Sequence, residues 1–486
     1  MLQAGYTSHT TPFITTVNQD QIREILGAAY LILEQTGCTV KHPGALELLA
    51  KSGAQVDGNR VTVPRQVIEK AIATAPKGFV MYDREGKPVM DLTGHKSYFG
   101  SSTGSPYQRH ALDQERKPTT IEDIRWGAIV ADALENIDFV MPFGSAQDVP
   151  AASGDLFEFE TVVQNTVKPI FFCGYSSKGV DRIIDMAQEV AGGEDSLAKQ
   201  PFIAAYPEPV SPLQFPLEIV EKIEICAKRM VPQVISGAQF MGFTSPCTVA
   251  GSLALATAES FFGILLAQLF RPGAPCFLTC SPGGGNMRTG ISFISSPETT
   301  LSLTAQAQIA RTMGLPTWGL AGATDSKALD AQAGAEAALS AVLQALAGVN
   351  LIHDVGFMDM AMACSCAMMV MGNEIIHWIK RYMSGIEVNA RTLAVDVIKA
   401  VGPGGHFMTQ KHTIDFMRKE IWQPELFYKD SYEAWMKDGA DTLEQRADRK
   451  VAHILNDHQP KMLTADVISK IEAIRAKGVK EIGYPR

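Results

Sequence analysis

Eight short apolar runs, each ending in small or polar residues and each followed by a helical stretch, constrain this chain more than any other feature. They span 97–100, 139–144, 169–174, 202–207, 234–239, 276–281, 317–322 and 351–356. Strands buried on both faces read as continuous apolar runs, because helices cover them. A recurrence of about 30 to 45 residues is that of one strand–helix unit with its loops. Eight units predict an α/β fold, a closed (β/α)8 TIM barrel, whose active site lies at the C-terminal ends of the strands.

The composition supports a large buried core and excludes some partners. Of 486 residues, 46% are hydrophobic and 20% charged, and the net charge is −9. No basic run or tail is present, which argues against nucleic acid and anionic membrane. Residues 1–19 are polar and lack the basic and apolar regions of a secretory signal, so a cytoplasmic protein is expected. The most apolar stretch, 247–270, contains Ser252, Thr257, Glu259, Ser260 and Gln268, which favours a buried or interface helix over a membrane span. The 8 cysteines are scattered, with Cys364/Cys366 and Cys276/Cys280 the close pairs. No His or Cys cluster completes a zinc ligand set, so no metal site is predicted.

Three regions are expected: an N-terminal α+β cap (1–92), the barrel (93–385) and a C-terminal helical extension (386–486). In the cap, helices are predicted over 19–36 and 42–52, with Asp57-Gly58-Asn59 as a hairpin turn and a further helix after Pro64. Barrel helices are predicted at 120–136, 152–165, 179–193, 215–229, 247–270, 297–313, 330–347 and 362–384. The extension should carry a charged helical segment over 432–456 and a last helix over 464–477. Two such extensions usually complete an oligomer surface or cover a barrel mouth, so a homo-oligomer is expected.

The strand ends supply the candidate chemistry. Aromatics dominate: Tyr98, Phe99, Phe143, Tyr206 and Phe357 are candidate walls of a site, with Gln239 beside them. A quaternary ammonium group is attracted to such rings by their quadrupoles. The ionisable candidates are few. Glu208 is held between two prolines, His353 ends the eighth run next to Asp354, and Arg288 could clamp a carboxylate. Because adjacent strand residues point to opposite sides, only one of His353 and Asp354 should face the barrel interior. Lys327 could form a Schiff base or pair with Asp325 or Asp330. Gly283-Gly284-Gly285 lacks the Lys and Ser/Thr of a phosphate-binding loop.

Four stretches carry a resemblance: 205–213 (AYPEPVSPL), 322–336 (GATDSKALDAQAGAE), 404–407 (GGHF) and 412–426, ending EIWQPEL. The pattern around Gly37-Cys38-Thr39-Val40 and Gly53-Ala54-Gln55-Val56 adds to them. Together they resemble the trimethylamine methyltransferase (MttB-like) superfamily of corrinoid-dependent methyltransferases. The resemblance covers nearly the whole chain. It implies transfer of a methyl group from an N-methylated amine to the Co(I) of a cognate corrinoid protein, with no cofactor tightly bound by this chain.

Founding members of that family carry pyrrolysine, whereas this sequence has standard residues alone. A quaternary amine already has a neutral leaving group, so the resemblance points to a betaine: glycine betaine first, then proline betaine, carnitine or γ-butyrobetaine. His353 and Glu208 are the expected catalytic pair. Tyr98, Phe99, Phe143, Tyr206, Gln239, Arg288 and Phe357 are the expected substrate contacts, from strand-end position. The rival readings are a barrel lyase or aldolase using Lys327, and a betaine-binding protein without catalysis.

Overall fold

The computed structural model describes residues 11–109, 115–279 and 282–483. Its centre is a (β/α)8 barrel. Strands Tyr98–Ser101, Ile170–Phe172, Ile203–Ala205, Leu278–Thr279, Thr317–Leu320 and Leu351–Val355 are parallel. Single parallel bridges at Phe139, Val140 and Gln233 supply the second and fifth strands, and the eighth strand pairs with the first, closing the ring. The run at 276–281 ends in two residues outside the described ones.

Eight helices cover the strands: Ile121–Ala133, Gly154–Asn165, Ser177–Ala191, Leu217–Lys228, Val249–Phe270, Pro297–Met313, Ala331–Ala347 and Cys366–Met383. The last begins later than the expected 362. Phe357–Met358 and Ala363–Cys364 form a hairpin there, and it joins Tyr107–Arg109 and Arg116–Pro118 in one four-stranded sheet. This sheet links the loops after the first and eighth strands.

The barrel interior is apolar. Phe139, Phe171, Phe277, Trp318 and Leu351 form one buried cluster with Met81, Met90 and Leu92. The last three belong to the antiparallel pair Val80–Tyr82 and Pro88–Asp91 or follow it, and they plug the N-terminal mouth beneath the strand starts. Sequence reading had placed no element there, because two short strands in a polar segment carry little periodicity.

The N-terminal elements do more than pack. Helices Gln19–Leu31, Pro43–Ser52 and Arg65–Thr74 bury apolar faces against helix Val249–Phe270. The Asp57-Gly58-Asn59 turn joins Gln55–Asp57 to Arg60–Thr62, as expected. Strand Cys38–Val40 then pairs in parallel with Gln214–Phe215, in the loop after the fourth barrel strand. The cap thus fixes one end of the segment that carries Tyr206 and Glu208.

Helix Val249–Phe270 is long and apolar enough to cross a membrane by length and composition, but 89% of its apolar window is buried inside the protein. It is a core helix, and not an exposed subunit interface. In the extension, the charged segment divides into helices Tyr432–Lys437 and Leu443–Asp457, separated at Gly439 with φ +105°. The last helix, Ala465–Ile482, runs five residues beyond its expected end and packs on helix Ser177–Ala191.

Candidate active site at the C-terminal mouth

Trp318 forms the floor of the site. The rings of Phe171, Phe139 and Phe277 gather around it with centroids 5.1, 5.7 and 6.3 Å away. His353 lies above this layer, because Leu320, two residues beyond Trp318, is its register partner. Its ring is 4.4 Å from that of Trp318. Tyr206 stands 5.7 Å from Trp318 and edge-on to His353 at 6.3 Å.

His353 and Asp354 do not diverge as regular strand residues would. Asp354 has φ +85°, and the pairing with the first strand shifts register between Ile352 and Val355. This break in the pleat turns both side chains toward each other, with Nε2 of His353 3.1 Å from Oδ1 of Asp354. The expectation that only one of the two faces inward is corrected by that irregularity.

Burial decides the charge of this pair. It lowers the His353 pKa to about 4 and raises that of Asp354 well above the usual carboxylate range. His353 is therefore neutral near pH 7, and burial favours the neutral form of Asp354 as well. Nδ1 of His353 lies 2.8 Å from the Gly319 carbonyl, which fixes it as the protonated ring nitrogen. Nε2 then faces Asp354 as an acceptor.

Glu208 and Tyr206 complete the cluster. The side chain of Glu208 is open to solvent, yet desolvation raises its pKa, with Lys222 opposing. That combination belongs to a group lining a recess. The Tyr206 hydroxyl bonds the Ser236 side chain, and burial and the Glu208 charge both hold it protonated. Cys173 is kept as a thiol by burial, with Glu208 the next cause, and so is a poor nucleophile. Lys222 donates to the Gly174 carbonyl at 2.7 Å, which ties this side of the mouth together.

Behind the site, Glu259 organises the loop. It is the one charged residue of helix Val249–Phe270. It accepts from the Ser211 hydroxyl (2.7 Å), the Leu213 amide (2.7 Å) and the Gln239 side-chain amide (2.5 Å). The segment from Tyr206 to Leu213 is thereby pinned from two sides, by Glu259 and by the cap strand. Beside it, Glu158 accepts from the Tyr175 hydroxyl (2.8 Å) and the Ala146 amide (3.0 Å). Burial raises Glu158 to about 7 and Asp155 to about 6.

Of the expected site residues, Tyr206, Glu208 and His353 come together. Tyr98 does not: it begins its strand at the N-terminal end, and its hydroxyl lies 3.0 Å from the Asp91 amide. Phe99 points away from the barrel axis into the core beneath the helices, because it occupies the other phase of the pleat, and Phe143, in the loop beyond the second strand, packs into the same core against Gly127. Gln239 faces the loop and is committed to Glu259. Phe357 is buried in the hairpin sheet, and its carbonyl accepts from Thr324. Arg288 is exposed on the turn between Gly285–Asn286 and Ile291–Ser292, over the sixth strand.

Lys327 is also exposed. It donates to the Asp325 carbonyl and lies 3.7 Å from Asp359, without the desolvated pocket a Schiff-base lysine needs. Trp318, Asp354 and Glu259 were missed as site residues. The available signals were a Trp within a barrel-strand run and a lone carboxylate inside an apolar helix. Among the described residues, no group of three or more His, Cys, Asp or Glu is arranged to hold a metal.

A half-buried Tyr206, beside the exposed Glu208 and above a buried Trp, is the kind of arrangement that suits an organic cation. The rim is apolar and open. Tyr175, Phe243, Met287 and Met362, on the loops after the third, fifth, sixth and eighth strands, are all exposed.

Comparison with known proteins agrees with this fold. The chain is 30% identical to a glycine betaine methyltransferase of Desulfitobacterium hafniense (strain Y51) over 97% of this chain and 98% of that one. It is 31% identical to a trimethylamine methyltransferase MttB of D. hafniense (strain DSM 10664 / DCB-2) over 100% and 98%. The crystal structure of the Methanosarcina barkeri monomethylamine methyltransferase covers 98% of this chain and 90% of its own, with a TM-score of 0.54. At 12% identity, that likeness shows the fold alone. The family model described as trimethylamine methyltransferase (MTTB) matches residues 2–483, and the chain belongs to that family of methyltransferases.

Proposed function

We propose that this chain moves a methyl group from a quaternary amine, glycine betaine first, to a reduced cobalt corrinoid carried by a separate protein in the cytoplasm. The observation that carries the reading is the Tyr206–Trp318–His353 cluster with Glu208 at its edge, in a sequence of standard residues alone. The corrinoid is the methyl acceptor: it forms the new bond to carbon while the carbon–nitrogen bond breaks, and that electron pair stays on nitrogen, so a neutral tertiary amine leaves. The open apolar rim of Tyr175, Phe243, Met287 and Met362 fits the approach of a large planar acceptor.

The chain's own residues bind and orient. Tyr206, above the Trp318 floor, receives the ammonium, and Glu208 balances its charge. His353, held neutral by burial, adds no positive charge beneath the cation, which a protonated histidine would do. Arg288, on the turn above the mouth, is the partner this reading gives to the substrate carboxylate. Orientation of one methyl toward the opening and exclusion of water supply the rate. No proton moves, because a quaternary nitrogen has none to give.

The test is to mix the purified chain with chemically reduced cobalamin and a panel of quaternary and tertiary amines, following the visible spectrum. Methyl-cobalt(III) should form with glycine betaine and fail to form with trimethylamine. A chain that binds betaines by calorimetry but methylates neither cobalamin nor a reduced corrinoid protein would sink the proposal and leave a binding protein.

A further inference from the structure

Asp155 and Glu158, near the start of helix Gly154–Asn165, are nearly fully buried, and both are turned on one exposed residue, Tyr175. Burying a carboxylate is unfavourable unless hydrogen bonds compensate it. Here Asp155 accepts from the Tyr175 amide and Glu158 from the Tyr175 hydroxyl, each at 2.8 Å. Two glycines make room for the arrangement. A Cβ at Gly154 would stand 3.1 Å from the edge of the Tyr175 ring, and one at Gly179 would collide with the Asp155 carboxylate. Tyr175 is thus clamped at its backbone and at its tip, while the residue stays 38% exposed. Packing alone does not call for this, because a surface tyrosine needs no buried carboxylate at either end.

The clamp sets the ring level with Glu208. Strand Ile170–Phe172 pairs with Ile203–Ala205 so that Phe172 lies opposite Ala205. The Tyr206 amide continues the ladder by donating to the Phe172 carbonyl at 3.0 Å. Tyr175 and Glu208 each follow their last paired residue by three positions. Cys173, just below them, is kept as a thiol by burial first, then by Glu208 and by Glu158, so both carboxylates act on one spot. Tyr206 lies deeper, against Trp318.

We propose that Tyr175 is a specificity-determining contact for the quaternary ammonium, with Glu158 as the residue that positions it. This contact adds a second ring to the methyl-donor reading above and rests on it. An ammonium beside Glu208 has Tyr206 on its inner side and Tyr175 on its outer side. Each ring presents a negative face to the cation. The ionised Glu158, accepting from the hydroxyl, polarises the phenol and strengthens that face. The two rings together distinguish a charged trimethylammonium from an uncharged group of the same shape.

Calorimetry on the full chain compares glycine betaine with tert-butylacetate, its carbon isostere. It is run at pH 8, where Glu158, with its pKa of about 7, is mostly ionised. The readout is the ratio of the two dissociation constants, which reports preference for the charge and not for the shape. The wild type should favour glycine betaine. Tyr175→Ala should cut that preference about fivefold, the size of one partly exposed cation–π contact. Tyr175→Phe keeps the ring and guards against a misfolded alanine variant. It and Glu158→Gln should each cut the preference about twofold, and the double variant no more than either alone, since both remove the same hydrogen bond. An alanine variant that keeps the preference, even with a raised KM for the corrinoid acceptor, would overturn the role of Tyr175 and leave the methyl-donor reading standing. Equal loss of both ligands would also overturn it, as the mark of a disordered loop. A wild type that binds neither ligand, or both alike, would overturn the contact and the methyl-donor reading together.

Discussion

At the residue scale, exposure and desolvation together single out Glu208. It is the accessible carboxylate of the mouth, and its raised pKa reflects the protein around it. Glu208→Gln keeps the shape and removes the charge. It should lower kcat/KM for a quaternary amine by about 10- to 100-fold, largely through KM, because a cation beside a partly desolvated carboxylate gains about 1.5–3 kcal/mol. Steady-state kinetics at saturating acceptor read this directly, and an unchanged KM would remove Glu208 from the site.

Glu158 makes a prediction about stability. Its folded pKa of about 7 lies above its unfolded value, so the folded protein binds the extra proton between about pH 4.5 and 7. Where the folded state holds more protons, stability falls as pH rises. The contribution is therefore fully present below that window and lost through it, by about 3 kcal/mol at most. Glu158→Gln stays neutral and should flatten the slope. Urea midpoints for both proteins at pH 5 and pH 8 check it: the wild type should lose more stability than the variant on going to pH 8.

At the element scale, helix Val249–Phe270 and the loop after the fourth strand act as one unit through Glu259. Glu259→Ala leaves Ser211, Leu213 and Gln239 without their buried acceptor, at a cost of about 2–4 kcal/mol. Because those residues hold Tyr206 and Glu208 in place, the variant should also raise KM. A thermal melt and a KM measured well below the melting temperature separate the two effects; a lower melting point with an unchanged KM would show that the loop does not need this anchor.

Element boundaries show how far the sequence could be read. The eight runs and eight helices were legible because burial on both faces leaves a continuous apolar signal and helical faces repeat every three to four residues. The helix at 297–313 appears as Pro297–Met313 because Ser296 caps it and Gly314 ends it in the left-handed region. The hairpin at 80–91 and the sheet of Phe357–Cys364 with Tyr107–Pro118 were not legible. Their strands are two to four residues long, and Ala363–Cys364 pairs with Tyr107–Arg109 far away in the chain.

The site divides in the same way. Tyr206, Glu208 and His353 were identified from strand-end position. The same rule admitted Tyr98, Phe99 and Phe143, because position along a run does not reveal which end is the mouth or which phase of the pleat faces inward. Asp354 escaped because the rule of alternation fails where φ turns positive.

At the scale of the whole molecule, the N-terminal elements and the barrel share one core. Leu253, Phe261, Phe262 and Leu265 of the central helix are buried in a cluster that includes Ile22, Ala29, Leu49 and Ile68. A chain lacking residues 1–77 would expose that face, far more apolar surface than a soluble monomer carries. It should aggregate on expression, whereas the full chain stays soluble; recovery of a soluble, cooperatively melting truncated protein would show the barrel to be self-sufficient. The cap strand Cys38–Val40 also reaches the substrate loop, so any soluble remnant should have lost activity.

By itself the sequence determined the fold class, the number of barrel units, the family and the end of the barrel where chemistry belongs. Each of these is written in local polarity, periodicity and short motifs, which do not depend on how distant segments meet. Only the tertiary structure decided which aromatics gather around Trp318, that His353 and Asp354 face each other in the core, and that Glu259 anchors the loop from behind. Those features depend on the phase of the pleat, on desolvation and on contacts between residues tens to hundreds of positions apart, and none of these is a property of any one stretch of sequence.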